Sequence, residues 1–410
     1  MMHPKMQYTY VGVDSHKDTH TAVFMDCFFE KLGEITFQNL PSVFGDFFIE
    51  AERFLMDGTV FLFGLEDTSA YGRTLMTFLR GNGQQVKHVN SLLVANERKN
   101  VIQKTDSVDA ECSARVLLAR FGELPDANPE EMYWVLRSLV VRRASLVRQN
   151  VASKNMLHSF LTQHYPNYRS FFVNIEYKTS LAFFAKYPSP QLLEGTTLEE
   201  LAVFLEFHSN GLMGLDKAME ILDSLQDTVV PFQEIRDGLV QSTIKQVQRN
   251  LDEVAQLDEQ LESFLDYFDC PLLSMTGIDT ISAAQILSCI GDIRKFSSPA
   301  KLARYAGVAP VTFASGKNDL QFASQRGNRE LNSLFFNLAI RLTMTAGPKR
   351  KIMNSFCYDY YNRKRAEGKT KRQALKCVQR RLVTIVWTML TNNEDYVNPP
   401  TYNAPPKDKA

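Results

Sequence analysis

No two cysteines in this sequence stand at metal-ligand spacing. The six (Cys27, Cys112, Cys270, Cys289, Cys357, Cys377) are scattered singly, with no C-x-x-C and no histidine pair beside them. That pattern excludes a structural zinc site and leaves reduced thiols of the core as the expectation. Long apolar runs are missing too: the longest, such as Thr59 to Leu65, are strand-length, against the roughly 20 residues that a membrane span needs. No apolar segment of signal-peptide length precedes the first strand, so the expected setting is cytoplasmic, with no membrane partner. A P-loop is absent throughout. Net charge is also absent, since 46 Lys and Arg balance 46 Asp and Glu. Bulk charge therefore makes no case for a nucleic-acid partner.

Charge distribution does make one. From Arg341 to Arg381 thirteen Lys or Arg face only Asp359 and Glu367, a net of +11. Acidic residues gather elsewhere, notably from Asp252 to Asp269, so one face can be basic while the whole is neutral. Tyr358, Tyr360 and Tyr361 lie within the basic run. Aromatic and basic side chains together suit a nucleic-acid backbone better than a merely solvated helix face.

Strands and helices alternate at the start of the chain. Tyr8 to Val13 reads as a strand ending on Asp14, Thr19 to Met25 as its hairpin partner, and Glu34 to Phe37 as a third strand. Val43 to Leu55 has helical spacing. Thr59 to Leu65 is a continuous apolar run of the kind buried on both faces of a sheet, and it ends on Glu66. A helix over Ala70 to Leu79 and a short strand over Val86 to Val89 complete an α/β domain of about 125 residues. Beyond it the pattern turns helical. Glu130 to His164 carries Arg137, Arg142, Arg143, Arg148 and Lys154, and Thr196-x-x-Glu199 reads as a capping box. Ile235 to Phe268 repeats apolar residues by threes and fours, with Asp258 breaking the series, which predicts a coiled-coil arm and a homo-oligomer, a dimer or higher. The sequence leaves open whether the partner of that arm is another subunit or the preceding helix. Leu273 to Ile281 around Gly277 reads as a helix-hairpin-helix turn that could approach a phosphate, Ser298 and Pro299 open another helix, and the tail from Asn398 reads as disordered.

Four carboxylates stand out by position. Asp14 and Glu66 end two apolar strands, where ligands of open α/β sheets gather. Asp106 and Asp109, in KTDSVDA, are three apart on a helix and so share a face. Oxygen ligands of this kind suit hard cations, Mg2+ or Mn2+, held as a pair about 3.5 to 4 Å apart for phosphodiester chemistry. For Asp106 and Asp109 alone, helix capping and a favourable first-turn charge stay open as the alternative. A strand, an acid and a hairpin also open the actin-like sugar kinases, but the loop Asp14-Ser-His-Lys-Asp-Thr19 has no glycine to cradle ATP. His16 and Lys17 read as a solvent-facing loop, with phosphate positioning as the alternative.

VGVDSHKDT, GLEDTSAYG, KTDSVDA and the block from Ala303 to Leu331, ARYAGVAPVTFASGKNDLQFASQRGNREL, together resemble insertion-sequence transposases. That family joins a RuvC-like DEDD domain to a C-terminal transposase domain with a catalytic serine. It includes the RNA-guided bridge recombinases, and the Piv DNA invertases are relatives. Where the family has Thr-Gly-x-Tyr after the glutamate, this chain reads Asp67-Thr68-Ser69-Ala70-Tyr71, without the glycine. The resemblance implies an α/β plus all-α protein: a RuvC/RNase H-like domain over 1–125, a helical coiled-coil region over 126–269, a serine transposase domain over 270–397 and a tail over 398–410. It also implies metal ligation by Asp14, Glu66, Asp106 and Asp109, a nucleophile at Ser315 rather than Ser324, donor and target DNA as substrates, and a noncoding guide RNA. A serine hydroxyl needs a base or a metal to activate it, and the resemblance assigns that to Mg2+. Two other readings stay open: a metal-dependent nuclease or junction resolvase that uses water, and a non-catalytic coiled-coil nucleic-acid-binding protein.

Overall fold

The computed structural model describes residues 3–66, 70–99, 105–127, 131–225, 231–309, 311–315, 318–322, 327–346 and 351–397. The chain divides into two compact units, one of Met1–Val135 with Cys289–Phe336 and Lys364–Asn392, the other of Leu136–Ser288 with Asn337–Arg363 and Asn393–Ala410. Asp67 to Ser69, Ser324 and the tail from Asn398, all singled out in the sequence, lie outside the described residues.

In the first unit a five-stranded sheet has the order β3-β2-β1-β4-β5, from β1 (Tyr8–Ser15), β2 (Thr19–Met25), β3 (Lys31–Gln38), β4 (Val60–Leu65) and β5 (Gln85–His88). β1 pairs antiparallel with β2 and parallel with β4, Gly12 lying opposite Gly64 and Val13 opposite Leu65. Strand periodicity decides which side chain faces which layer. Val11, Val13, Phe61, Phe63 and Leu65 pack with Phe44 and Phe47 of α1 (Pro41–Ala51) and Leu75, Met76 and Leu79 of α2 (Arg73–Gly81). Tyr10 and Leu62 face the opposite way, onto Ala114, Leu117 and Leu118 of α4 (Asp106–Ala119), which follows the short α3 (Ser91–Arg98). Each fully buried phenylalanine or leucine contributes about 1.5–3 kcal/mol, so this two-sided core fixes the sheet firmly. The α/β expectation is met, and β4 is buried on both faces as its apolar run required.

Two long helices dominate the second unit, α5 (Glu131–His164, its first turn in unit one) and α10 (Gln233–Tyr267). Arg142 pairs with Glu253, Arg143 with Asp258, and His164 lies near Asp237. Rising numbers on one helix meet falling numbers on the other, so the two run antiparallel within one chain. Asp258 therefore faces an arginine, and the apolar series passes instead through buried Leu257, Leu261 and Leu265. Between them fold α6 (Tyr168–Phe171), α7 (Lys178–Lys186), α8 (Leu198–Ser209) and α9 (Leu215–Asp223) around Tyr165, Phe171, Phe183 and Phe184. The capping box of α8 uses Thr197 and Glu200, one residue later than expected. Both adjacent Thr/Glu pairs satisfy the spacing, and burial of Leu201, Ala202 and Leu205 selects the frame.

The segment read as helix-hairpin-helix consists of a 3-10 turn, Pro271–Ser274, and α11 (Thr280–Ile290), joined through Gly277 at φ +91. Asp279 caps α11, accepting from the Ser282 amide at 2.7 Å, and Arg341 donates to the Gly277 carbonyl at 2.7 Å. Further on, Ser298 caps α12 (Pro299–Tyr305) with Pro299 at its start, as the sequence required. The rest comprises a β-hairpin of β6 (Val311–Ser315) and β7 (Asn318–Phe322), then α13 (Arg329–Thr343), α14 (Ser355–Ala366) and α15 (Lys371–Asn392). None of the six cysteines is joined in a disulfide, and four of them are buried. Among the described residues, no helix is long and apolar enough to cross a membrane.

Candidate active site

Two glycines seat the site. Gly12 of β1 and Gly64 of β4 are register partners on the face that α4 covers. A Cβ at Gly12 would lie 2.8 Å from the Ala114 Cα and closer still to the Ala110 carbonyl and Ala114 amide. Helix α4 thus lies against bare strand backbone, its small Ala110, Ser113 and Ala114 buried beneath it. Two residues beyond Gly12, on the same face of β1, comes Asp14, and Glu66 directly follows the end of β4. Neighbouring strands are about 4.8 Å apart, which sets the spacing of those two positions.

Thr105 caps α4, accepting from the Val108 amide at 3.2 Å. Asp106 and Asp109 are thereby released from capping and occupy the first turn beside the sheet end. Asp14, with a side chain 13% exposed, feels both. Burial pushes its carboxyl above the ordinary aspartate value; His16 opposes that, and Asp109 and Asp106 push the same way as burial. Carboxylates in one another's field are costly without a counter-charge.

Two side chains supply counter-charge or hydrogen bonds. His16 Nε2 lies 3.0 Å from Asp14 Oδ2 and 3.3 Å from Asp106 Oδ1, bridging strand and helix. Arg98, at the end of α3, clasps Asp109 through one guanidinium nitrogen, 2.6 and 2.8 Å from the two carboxylate oxygens. Glu66 acts electrostatically on the same arginine. Asp14 and Asp106 are therefore tied together through His16, and Asp109 is held by Arg98; among the described residues no contact ties Glu66 to them. His16 is an exposed loop residue, as expected, that also reaches Asp14 and Asp106, and Arg98 was not singled out by sequence at all. Their signals were available: His16 stands two positions beyond Asp14, and Arg98 closes the helix just before KTDSVDA.

Ser315 ends β6 opposite Asn318, at the tip of a hairpin rather than in an irregular loop between helices. The base of that hairpin is closed by a crossing of two glycines. A Cβ at Gly327, φ +115, would meet the Gly307 amide at 2.6 Å and the Tyr305 carbonyl at 2.7 Å. Asn328 donates its amide to that same carbonyl at 2.7 Å and caps α13 through the Leu331 amide. Asn332 then reaches the Ala306 and Gly307 carbonyls at 3.0 and 2.8 Å, and Gln379 of α15 holds the Asn332 carbonyl at 2.7 Å. The motif glycines are thus positions of backbone contact. Among the described residues no contact joins Ser315 to the carboxylates, and its side chain is outside them.

Basic residues divide by partner. On α5, Arg142, Arg143 and Lys154 pair with Glu253, Asp258 and Glu176, which commits them to the fold before any phosphate. In the C-terminal run Lys364 pairs with Glu367, and Arg363 lies over Tyr360 at 5.0 Å.

Residues 11–166 match a family model described as a transposase of the IS110 DEDD type, and residues 270–353 match the transposase IS116/IS110/IS902 family. An insertion element IS116 protein of Streptomyces clavuligerus is 28% identical over 95% of this chain and 96% of its own length. An IS900 protein of Mycobacterium paratuberculosis is 24% identical over 95% and 97%. A pilin gene-inverting protein of Moraxella lacunata is 22% identical over 95% and 98%. With its sheet-borne acids in the first matched segment and its glycine-closed hairpin in the second, the chain belongs to the IS116/IS110/IS902 family of transposases and is a DNA transposase or recombinase.

Proposed function

We propose that the chain cuts DNA with Ser315 and reseals it through the resulting phosphoserine ester, using Mg2+ or Mn2+ held by Asp14, Glu66, Asp106 and Asp109. The observation that carries this is the meeting of Asp14 and Asp106 at His16, with Asp109 held by Arg98 on the same turn of α4. Such an oxygen-rich donor set, short of cations of its own, fits divalent metal ions. When bound, the ions would supply positive charge that stabilises the phosphodiester as it is attacked.

The chain's own residues do the rest. The glycine-closed base of the β6–β7 hairpin presents Ser315 at its tip. As the Oγ–phosphorus bond forms, one phosphorus–oxygen bond to deoxyribose breaks. The departing sugar oxygen gains a proton and Oγ loses one. The ester keeps the bond energy, so a second strand's hydroxyl can reverse the step without ATP. Carboxylates and serine meet within one protomer or between protomers of a homo-oligomer. A noncoding RNA selects donor and target by base pairing, and the basic C-terminal run holds nucleic-acid backbone.

Incubating the full chain with Mg2+, its RNA and cognate DNA, then running a denaturing gel, tests the scheme. A covalent adduct is expected that Ser315→Ala removes and Ser324→Ala retains. Cleavage that survives Ser315→Ala returns the chain to the class of metal-dependent nucleases that use water. Strand chemistry that survives both Asp14→Ala and Glu66→Ala sinks the metal centre. RNA should copurify with the protein, and its digestion should abolish site choice.

A further inference from the structure

Resting on the reading of these carboxylates as a metal centre, we propose that His16 is itself a ligand, giving Nε2 to the cation held between Asp14 and Asp106. The centre then has one nitrogen among its oxygens and favours Mn2+ over Mg2+.

Three donor atoms, one each from Asp14, His16 and Asp106, lie within 4.8 Å of one another. Adjacent ligands on an octahedral cation with bonds of about 2.1 Å stand about 3 Å apart, and opposite ones about 4.2 Å. His16 Nε2 meets that spacing toward both carboxylates, at 3.0 and 3.3 Å. One imidazole N–H cannot point squarely at two acceptors on different elements. A cation shared by all three donors satisfies them together.

The histidine is also held in place. The His16 amide donates to the Thr19 carbonyl at 3.0 Å, closing a tight turn between β1 and β2. Asn39 clamps that turn, its side-chain amide reaching the carbonyls of His16 at 3.3 Å, Lys17 at 3.2 Å and Tyr71 at 3.1 Å. On the other side the imidazole is open, with its side chain 52% exposed, leaving room for a phosphate oxygen or water to complete a coordination sphere. The opposite edge is different in kind, because Arg98 holds Asp109 there and brings positive charge. Imidazole binds transition-metal ions far better than it binds Mg2+, which keeps to oxygen. Mn2+ accepts both.

The experiment uses the full chain and Mn2+ alone. Binding is followed by the loss of the free-ion EPR signal, and pulsed EPR reads nitrogen coupling from directly bound imidazole. Coupling is expected in the wild type and should vanish in His16→Gln. That variant should weaken Mn2+ by about ten-fold or more, while Mg2+ affinity, read by competition, changes less than threefold. His16→Ala provides a second removal, with unfolding temperature checking the fold of each. Tight Mn2+ binding with no nitrogen coupling, and unchanged affinity in both variants, overturns the assignment and leaves His16 a hydrogen-bonding bridge. A different result, Mn2+ retained after Asp14→Ala combined with Glu66→Ala, sinks the carboxylate centre itself.

Discussion

Replacing Gly12 by alanine adds one methyl group and should dismantle the site. Built on the present backbone, that Cβ lies 2.8 Å from the Ala114 Cα and nearer the Ala110 carbonyl and the Ala114 amide, whereas ordinary contact begins at 3.4 Å. These are backbone atoms of α4, which no rotamer change can move aside. The helix must withdraw by about 1 Å, because packed interiors hold no slack of that size. Overpacking of this kind costs about 1–3 kcal/mol, and in a unit of this size each kcal/mol lowers the melting temperature by roughly 2–4 °C. The expected loss is therefore on the order of 2–12 °C. Function should suffer more than stability. Metal ligands tolerate about 0.2 Å of displacement, and Asp106 and Asp109 move with α4 while Asp14 stays on β1. Differential scanning calorimetry and Mn2+ titration on the same preparation give both readouts. Gly64→Ala is the internal comparison: its Cβ meets the ends of the Val89 and Leu117 side chains, at 2.9 and 3.1 Å. These can shift, so a loss of about 1 kcal/mol with metal affinity largely kept is expected. If Gly12→Ala melts and binds Mn2+ like the wild type, α4 is not held by close contact at this glycine and the account of how the acids converge is wrong.

Removing the Arg98 side chain leaves Asp109 without its clasp; the melting temperature should fall, and saturating Mn2+ should restore more of it than it adds to the wild type. Gly327→Ala strains a φ of +115 and meets the Gly307 amide at 2.6 Å; the covalent DNA adduct should be lost, while Mn2+ binding at the carboxylates is unchanged. Asp279 is partly desolvated, which raises its carboxyl, yet hydrogen bonds from Ser282 and Arg341 outweigh that and hold it below the ordinary aspartate value. Its contribution is therefore present above the ordinary value and lost as pH falls through the lowered one. Asp279→Ala should cost about 1 kcal/mol at neutral pH and less in acid, as read by denaturant melts at both. Gly45 and Gly238 lie inside α1 and α10 with nothing within 4 Å of a Cβ; alanine at either should add about 0.5–1 kcal/mol, measurable as a raised denaturation midpoint.

Local rules made much of the chain legible. Near-continuous burial of the apolar runs in Tyr8 to Ser15 and Val60 to Leu65, proline after a capping serine at Ser298, and the apolar spacing of Gln233 to Tyr267 each depend on a residue's near neighbours. So does the sharing of one helix face by Asp106 and Asp109. Errors also arose locally, where two frames satisfied the same rule: Thr196 and Thr197 both precede a glutamate by three, and Leu257 and Asp258 both fit a helical period. Burial in the folded unit chose between them.

Only tertiary structure decided what those residues meet. Nothing in the sequence says that Gly12 lies opposite Gly64, because register is a property of two strands 52 positions apart. Without that pairing α4 has no bare backbone to settle on, and Asp14 does not come within reach of Asp106. His16 is the exposed turn residue that the sequence suggested, but its reach to Asp14 and Asp106 was not legible, because sequence shows a side chain's chemistry and not its direction. The clamp from Asn39 supplies the direction. Arg142, Arg143 and Lys154 are likewise basic by sequence alone, and only the fold shows that Glu253 and Asp258 of α10 and Glu176 lie beside them. Thus the sequence by itself determined which elements form and which carboxylates stand at strand ends and on one helix face. The long-range pairing of glycines, acids and bases determined that they converge, since close approach and opposite charge act through space and not along the chain.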